Sequence, residues 1–185
     1  MDINYVMMSY MDNKEFAEGT ASMLKEKWDI DVTIVYGYKV DNDKYKKNNV
    51  LMKGVQDILL PMTIEKGKNI VYIEDDCIFT EHPEKYIEKE DDVVWLGYRK
   101  GKLTNKAPHN VITGSQAIFM NNHSQKIVLE HFKNRKRKIH IDGAYSEVFR
   151  QKKLSFRQVK NIAYEREHNS LISKKEDWIK YTKPH

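Results

Sequence analysis

Residues 69–86 read NIVYIEDDCIFTEHPEKY, and this stretch decides how the rest of the chain is read. An apolar run, Ile70 to Ile73, has the pattern of a buried strand and passes directly into Glu74, Asp75 and Asp76. Adjacent carboxylates repel, and beside an apolar core each is costly to desolvate unless a positive charge neutralises it. Side chains alternate along extended backbone, so Glu74 and Asp76 are predicted to face the same way. Oxygen donors of this kind suit Mg²⁺ or Mn²⁺, which keep open positions for water and substrate phosphates. The acids are therefore a candidate divalent-cation site, against the plainer alternative of a solvated turn.

Around this stretch the chain alternates strand and helix patterns. Ile3 to Ser9 is a short apolar first strand. Asp12 and Asn13 read as a helix cap, after which Phe16, Ala17, Thr20, Met23, Leu24 and Trp28 recur at helical spacing. Asp31 to Tyr36, closed by Gly37, is a second strand, and Val50 to Met62 a second helix. Beyond the acids come strands at Val93 to Gly97 and Ala117 to Met120, a helix from a Ser124 cap to Phe132, a helix from Ile141 to about Gln151, and a last strand near Phe156 to Val159. A βαβ opening predicts an α/β fold with a parallel sheet. In open sheets of that kind ligands bind beyond the carboxyl ends of the strands, where these acids lie.

A chain of 185 residues with no repeat and no Pro/Gly/Ser-rich linker is expected to form one domain over 1–185, a polar tail from about 165 to 185 packing on it through Trp178 and Tyr181. The single cysteine, Cys77, excludes an intramolecular disulfide framework and a Cys-rich zinc site, which fits a reducing, cytoplasmic address. Neither a signal peptide nor a transmembrane segment is expected, since no apolar run is long enough. The net charge of +5 favours polyanionic or phosphorylated partners, with nucleotide, nucleic acid and acidic lipid all open.

Taken with the segments that follow it, "IVYIEDDCIF" resembles the D-x-D metal site of GT-A nucleotide-sugar glycosyltransferases. More specifically, it is similar to the strand "LVLEDD" of glycosyltransferase family twenty-five, the small lipopolysaccharide and procollagen galactosyltransferase group. "VVWLG", "TGSQAIFMNNHSQKIVLEHF" and "HIDGAYSEVF" follow in that family's order over about residues 3 to 172. The helix ahead of the acids carries Gly54-Val55-Gln56-Asp57 in place of the family's Ser-His pair, and the short length resembles small viral or phage members. The resemblance implies a GT-A-like, Rossmann-related, mostly parallel central sheet flanked by helices. It implies transfer of a sugar from a nucleotide-sugar donor, a UDP-sugar, to an acceptor hydroxyl with Mn²⁺ or Mg²⁺.

Carried over by position, the resemblance implies that Asp76 holds the metal and that His168 completes its ligands. Glu74 stands where the nucleotide ribose or a metal-bound water is contacted, and Asp75 braces the loop or touches the sugar. Ser9 and Tyr10 seat the nucleotide base, Lys53 reaches the phosphates, Gly114 and Ser115 lie near the donor sugar, and Asp142 is the general base on the acceptor side if the enzyme inverts configuration, or a positioning or stabilising group if it retains it. Taken alone, Asp142 reads equally well as a helix N-cap, and His168 as a surface residue. The acceptor class is a glycan, or modified DNA. The alternatives are a metal-dependent nuclease built on Glu74, Asp75, Asp76 and Asp142, and a basic nucleic-acid-binding protein using the run Lys133 to Lys138 (KNRKRK). That run also fits a solvated helix end favoured by the helix dipole.

Overall fold

Seven residues, Ile3–Ser9, form β1, and the five from Tyr5 to Ser9 are buried, so that strand formation follows from burial on both faces. A single 3₁₀ turn, Met11–Asn13, leads into α1, Lys14–Trp28, and then β2, Val32–Tyr36. The computed structural model describes residues 1–38, 47–98, 114–135, 140–152 and 154–165. The expected helix ahead of the acids is α2, Lys47–Gly54, and α3, Leu60–Glu65, joined by a π-helical turn, Val55–Leu59. Pro61 supplies the physical reason for that wider turn, because proline has no N–H to donate and its ring crowds the carbonyl of the preceding turn.

Next comes β3, Asn69–Glu74, whose middle four residues are all buried. Two short elements follow that the sequence did not announce, β4 at Cys77–Phe79 and a 3₁₀ turn at Pro83–Tyr86. Then come β5, Val93–Gly97; β6, Ala117–Met120; α4, Asn122–Asn134; α5, Ile141–Gln151; β7, Phe156–Gln158; and β8, Ala163–Glu165. The cap of α4 is Asn121, whose Oδ1 accepts from both the backbone N–H and the hydroxyl of Ser124 at 2.8 Å. Ser124, the expected cap, lies inside the helix and is held by the real one. The tail with Trp178 and Tyr181, and residues 136–138 of the basic run, lie outside the described residues.

The main sheet has the order β2-β1-β3-β6-β5-β7. Its β1–β2, β1–β3 and β5–β7 pairs are parallel, while β6 runs antiparallel to β3 and β5. Five strands thus point one way and β6 alone opposes them, which keeps the sheet mostly parallel, as expected. One core packs between the sheet face carrying Val6, Met8, Tyr72 and Trp95 and the helices α2 to α5, with Tyr145 entering it from α5. The other collects Met7, Val71, Ile73, Phe79, Leu96 and Phe119 beneath α1. A second, two-stranded sheet pairs β4 with β8. It closes tightly against β5, because a Cβ at Gly97 would overlap Ala163, whose carbonyl oxygen would stand 2.8 Å from it.

Candidate functional site

Glu74 is the last residue of β3, and Asp75 and Asp76 make the turn into β4. Extended alternation therefore stops at Glu74, and the expectation that Glu74 and Asp76 share a side does not carry through the turn. Asp76 is drawn into the interior at 5% exposure, while Glu74 and Asp75 are half-buried. Each of the latter two is gripped by a different part of the fold.

Asp75 Oδ2 accepts from Ser9 Oγ at 2.5 Å and from Asn13 Nδ2 at 2.8 Å. Ser9 ends β1 and Asn13 opens α1, so the carboxylate ties the first strand-to-helix turn to the turn after β3. Asn13 sits at the N-cap position of α1 yet makes no side-chain cap bond. The side-chain cap expected of Asp12 and Asn13 is thus not formed; the Asn13 side chain is turned to donate its amide to Asp75.

Glu74 Oε1 accepts from Ser115 Oγ at 2.5 Å, and the Glu74 backbone N–H donates to the Gln116 carbonyl at 3.0 Å. Gly114, just before Ser115, has a φ of 84°, a left-handed conformation that glycine alone adopts freely. Its N–H donates to Asp142 Oδ2 at 2.7 Å and its carbonyl accepts from Trp95 Nε1 at 3.2 Å. Asp142 lies in the first turn of α5, where a carboxylate is favoured by the helix dipole, while His140 takes the N-cap position. Two successive residues, Gly114 and Ser115, therefore link the carboxylates of α5 and β3.

Tyr10 follows Ser9 and is buried at 7% exposure, its hydroxyl without a hydrogen-bond partner among the described residues. Burial first, then the charges of Asp75 and Glu74, push its phenol well above the ordinary range, so it is a neutral donor at any working pH. Lys53 pairs with Asp57 one helical turn on, at 3.2 Å, and Asp57 also accepts from the Tyr38 hydroxyl at 3.2 Å. The structure thus joins Ser9, Glu74, Asp75, Gly114, Ser115 and Asp142 by direct bonds, and holds Lys53 in a separate pair. His168 lies outside the described residues.

Among the described residues no three His, Cys, Asp or Glu side chains gather into a group that would hold a metal ion. A hard cation such as Mg²⁺ or Mn²⁺ nonetheless needs only one or two protein carboxylates when phosphates and water complete its shell. Glu74, Asp75 and Asp76 offer oxygen donors only, so the donor chemistry fits such an ion. Also among the described residues, no helix is long and apolar enough to cross a membrane.

Four residues of this region carried no functional signal when read singly. Asn13 resembled a cap, and Trp95, Tyr72 and Tyr145 resembled core. The available signal was at Tyr72: two residues before Glu74 on one strand, it must share that acid's face, an odd place for a hydroxyl.

A mostly parallel sheet with its acids at the carboxyl end of a central strand defines an open α/β fold, the acids standing at the edge where such sheets bind ligands. No protein-family profile matches the sequence, and neither does any curated protein sequence. Solved structures do match. One is a glycosyltransferase involved in glycosylation of the major capsid of PBCV-1, with 8% identity, a TM-score of 0.57, and coverage of 89% of this chain and 92% of that one. A second is a mutant of Drosophila β-1,4-galactosyltransferase 7 in complex with manganese, UDP-Gal and xylobiose, with 9% identity, a TM-score of 0.58, and coverage of 91% and 72%. A third is an active-site mutant of LgtC, with 9% identity, a TM-score of 0.50, and coverage of 84% and 72%. What is shared at these identities is the fold, which in this chain is GT-A-like.

Proposed function

We propose that this chain is an enzyme, a metal-dependent glycosyltransferase that moves a sugar from a nucleotide-sugar donor, a UDP-sugar, to the hydroxyl of an acceptor glycan. One observation carries the reading. Three consecutive carboxylates stand at the carboxyl end of the central strand, Asp75 tied to the end of β1 and the start of α1 and Glu74 to the residue pair before β6, in a fold shared with glycosyltransferases of which one is seen with manganese and UDP-Gal. The order of motifs along the chain supports glycosyltransferase family twenty-five as the group.

In this reading Asp76 holds Mn²⁺ or Mg²⁺, with His168 as its further ligand, and Glu74 meets the ribose or a metal-bound water. A bound ion supplies stabilisation of the negative charge that grows on the departing diphosphate. The remaining work belongs to the chain itself. Ser9 and Tyr10 seat the base, Lys53 serves the phosphates, and Asp75 keeps the β1–α1 turn against the acids. Gly114 and Ser115 border the donor sugar. Asp142 Oδ2 is engaged by Gly114, so Oδ1 is the atom that receives the acceptor proton as the hydroxyl attacks the anomeric carbon.

The test is release of UDP from UDP-glucose and UDP-galactose with and without Mn²⁺, run on wild type, Asp142→Asn and Asp142→Ala. The reading expects manganese-dependent release that falls at least roughly 100-fold in both variants, as loss of a general base requires. An amide oxygen can accept the same Gly114 N–H, so full activity in Asp142→Asn would reduce Asp142 to a brace. Phosphodiester cleavage without any sugar donor would replace the reading by a nuclease.

A further inference from the structure

Two tyrosines, Tyr72 and Tyr145, lie in the core on the face that carries Glu74, and Tyr10, which follows β1, lies within electrostatic reach of Tyr72 and of the same acid. Tyr10, Tyr72 and Tyr145 are 7%, 0% and 0% exposed, and each hydroxyl is buried with no hydrogen-bond partner among the described residues. They belong to one neighbourhood. Tyr72 precedes Glu74 by two residues on β3, so both project from the same face. Tyr145 follows Asp142 by three residues on α5, one turn along the same side. The Tyr72 and Tyr145 rings are 5.9 Å apart between centroids, and Tyr145 is fixed further by Phe132 and Phe149 at 5.4 and 5.7 Å.

Phenylalanine would fill the same apolar surroundings without the burden of an unmade hydrogen bond. A buried hydroxyl left unsatisfied costs about 1–3 kcal/mol, and this fold places three together. We propose that Tyr10, Tyr72 and Tyr145 form a shared internal hydration site, in which an ordered water accepts from two of the phenols and donates to the third and toward Glu74, fixing that carboxylate from behind while Ser115 fixes it from the front.

The chemistry of the donors agrees. Burial first, and the charge of Glu74 next, raise the phenols of Tyr72 and Tyr145 well above the ordinary range, so both stay protonated and can only gain from an oxygen acceptor. A buried water needs two to four polar partners, typically about three. Three phenols and a carboxylate meet that requirement. Tyr72 and Tyr145 are then positioning residues for Glu74, a role that rests on the donor-binding reading above; the hydration site itself does not.

Thermal unfolding of Tyr72→Phe, Tyr145→Phe and the double variant, without nucleotide, tests the site independently of any sugar chemistry. Each single variant is expected to lower Tm by roughly 2–4 °C, the double by less than the sum, because the same water loses its partners. Unchanged or higher Tm in the single variants would overturn the site, since removal of a truly unsatisfied hydroxyl relieves a cost. Additive losses would overturn its being shared. A crystal structure should place a water oxygen about 2.8 Å from both Tyr72 and Tyr145 hydroxyls, and its absence there would equally reject the proposal. For the positioning role, titration of UDP with Mn²⁺ far below Tm is expected to show several-fold weaker binding in both single variants. Equal affinity would refute that role and leave the hydration site standing, whereas no binding to wild type either would refute the donor-site reading instead.

Discussion

Two aspartates at opposite edges of the same sheet are treated in opposite ways. Asp91 lies just ahead of β5, at the amino edge, and meets a dedicated cation: Arg157 Nε donates to Oδ1 at 2.7 Å and Nη2 to Oδ2 at 2.6 Å. The Glu88 backbone N–H adds a third bond at 2.7 Å. Asp75 lies at the carboxyl edge, and its named partners, Ser9 and Asn13, are neutral. Charge matched within the chain is what stability needs. A charge kept beside other charges and held in place only by neutral donors is what a site needs if its counterion arrives from outside.

The sharpest way to break this contrast is to neutralise each aspartate. Asp75→Asn keeps an oxygen for Ser9 but removes a charge from an acidic cluster. Transfer is expected to fall roughly 100-fold, as a displaced site does, while Tm stays level or rises by about 1–2 °C. A Tm loss of several degrees would mean that Asp75 is a structural residue like Asp91.

Arg157→Ala should do the reverse. It leaves Asp91 buried at the strand entrance without its partner, at a cost of about 2 kcal/mol, tempered because Arg157 is partly solvated. For a chain of this size that is roughly 4–8 °C in Tm. Manganese-dependent UDP binding, measured well below Tm, should be unchanged; its loss would show that the two edges are coupled.

The pH dependence sharpens the same pair. Burial acts to raise the pKa of Asp91, but the hydrogen bonds of Arg157 and the Glu88 N–H outweigh it and hold the carboxyl below its ordinary value. A depressed folded-state pKa contributes stability that is fully present above the ordinary carboxylate value of about 4 and is lost as pH falls through the lower folded value. The Tm gap between wild type and Arg157→Ala should therefore be constant from neutral pH to about 5 and shrink in more acid solution. A gap independent of pH would place its origin in packing rather than charge.

Long buried segments were legible in the sequence because burial on two faces leaves an apolar run. β1, β5, β6 and α5 begin and end where that reading puts them. β4 and β8 escaped it, since three residues are too few to show a period. The reversed direction of β6 was equally hidden, because a strand's composition carries no sense of direction. At the site, the acids stood out by residue type and Gly114-Ser115 through the resemblance, whereas Asn13 did not. A helix-opening Asn reads as a cap, and only the three-dimensional arrangement turns its amide toward Asp75.

The central claim is that the carboxyl edge is incomplete without a cation and a diphosphate. Calorimetric titration of UDP into the protein, with and without Mn²⁺, on wild type and Asp76→Ala, tests it most directly. Binding that requires Mn²⁺ and disappears in Asp76→Ala is the predicted result. Absence of UDP binding to wild type under both conditions, or equal binding by the variant, would contradict the account.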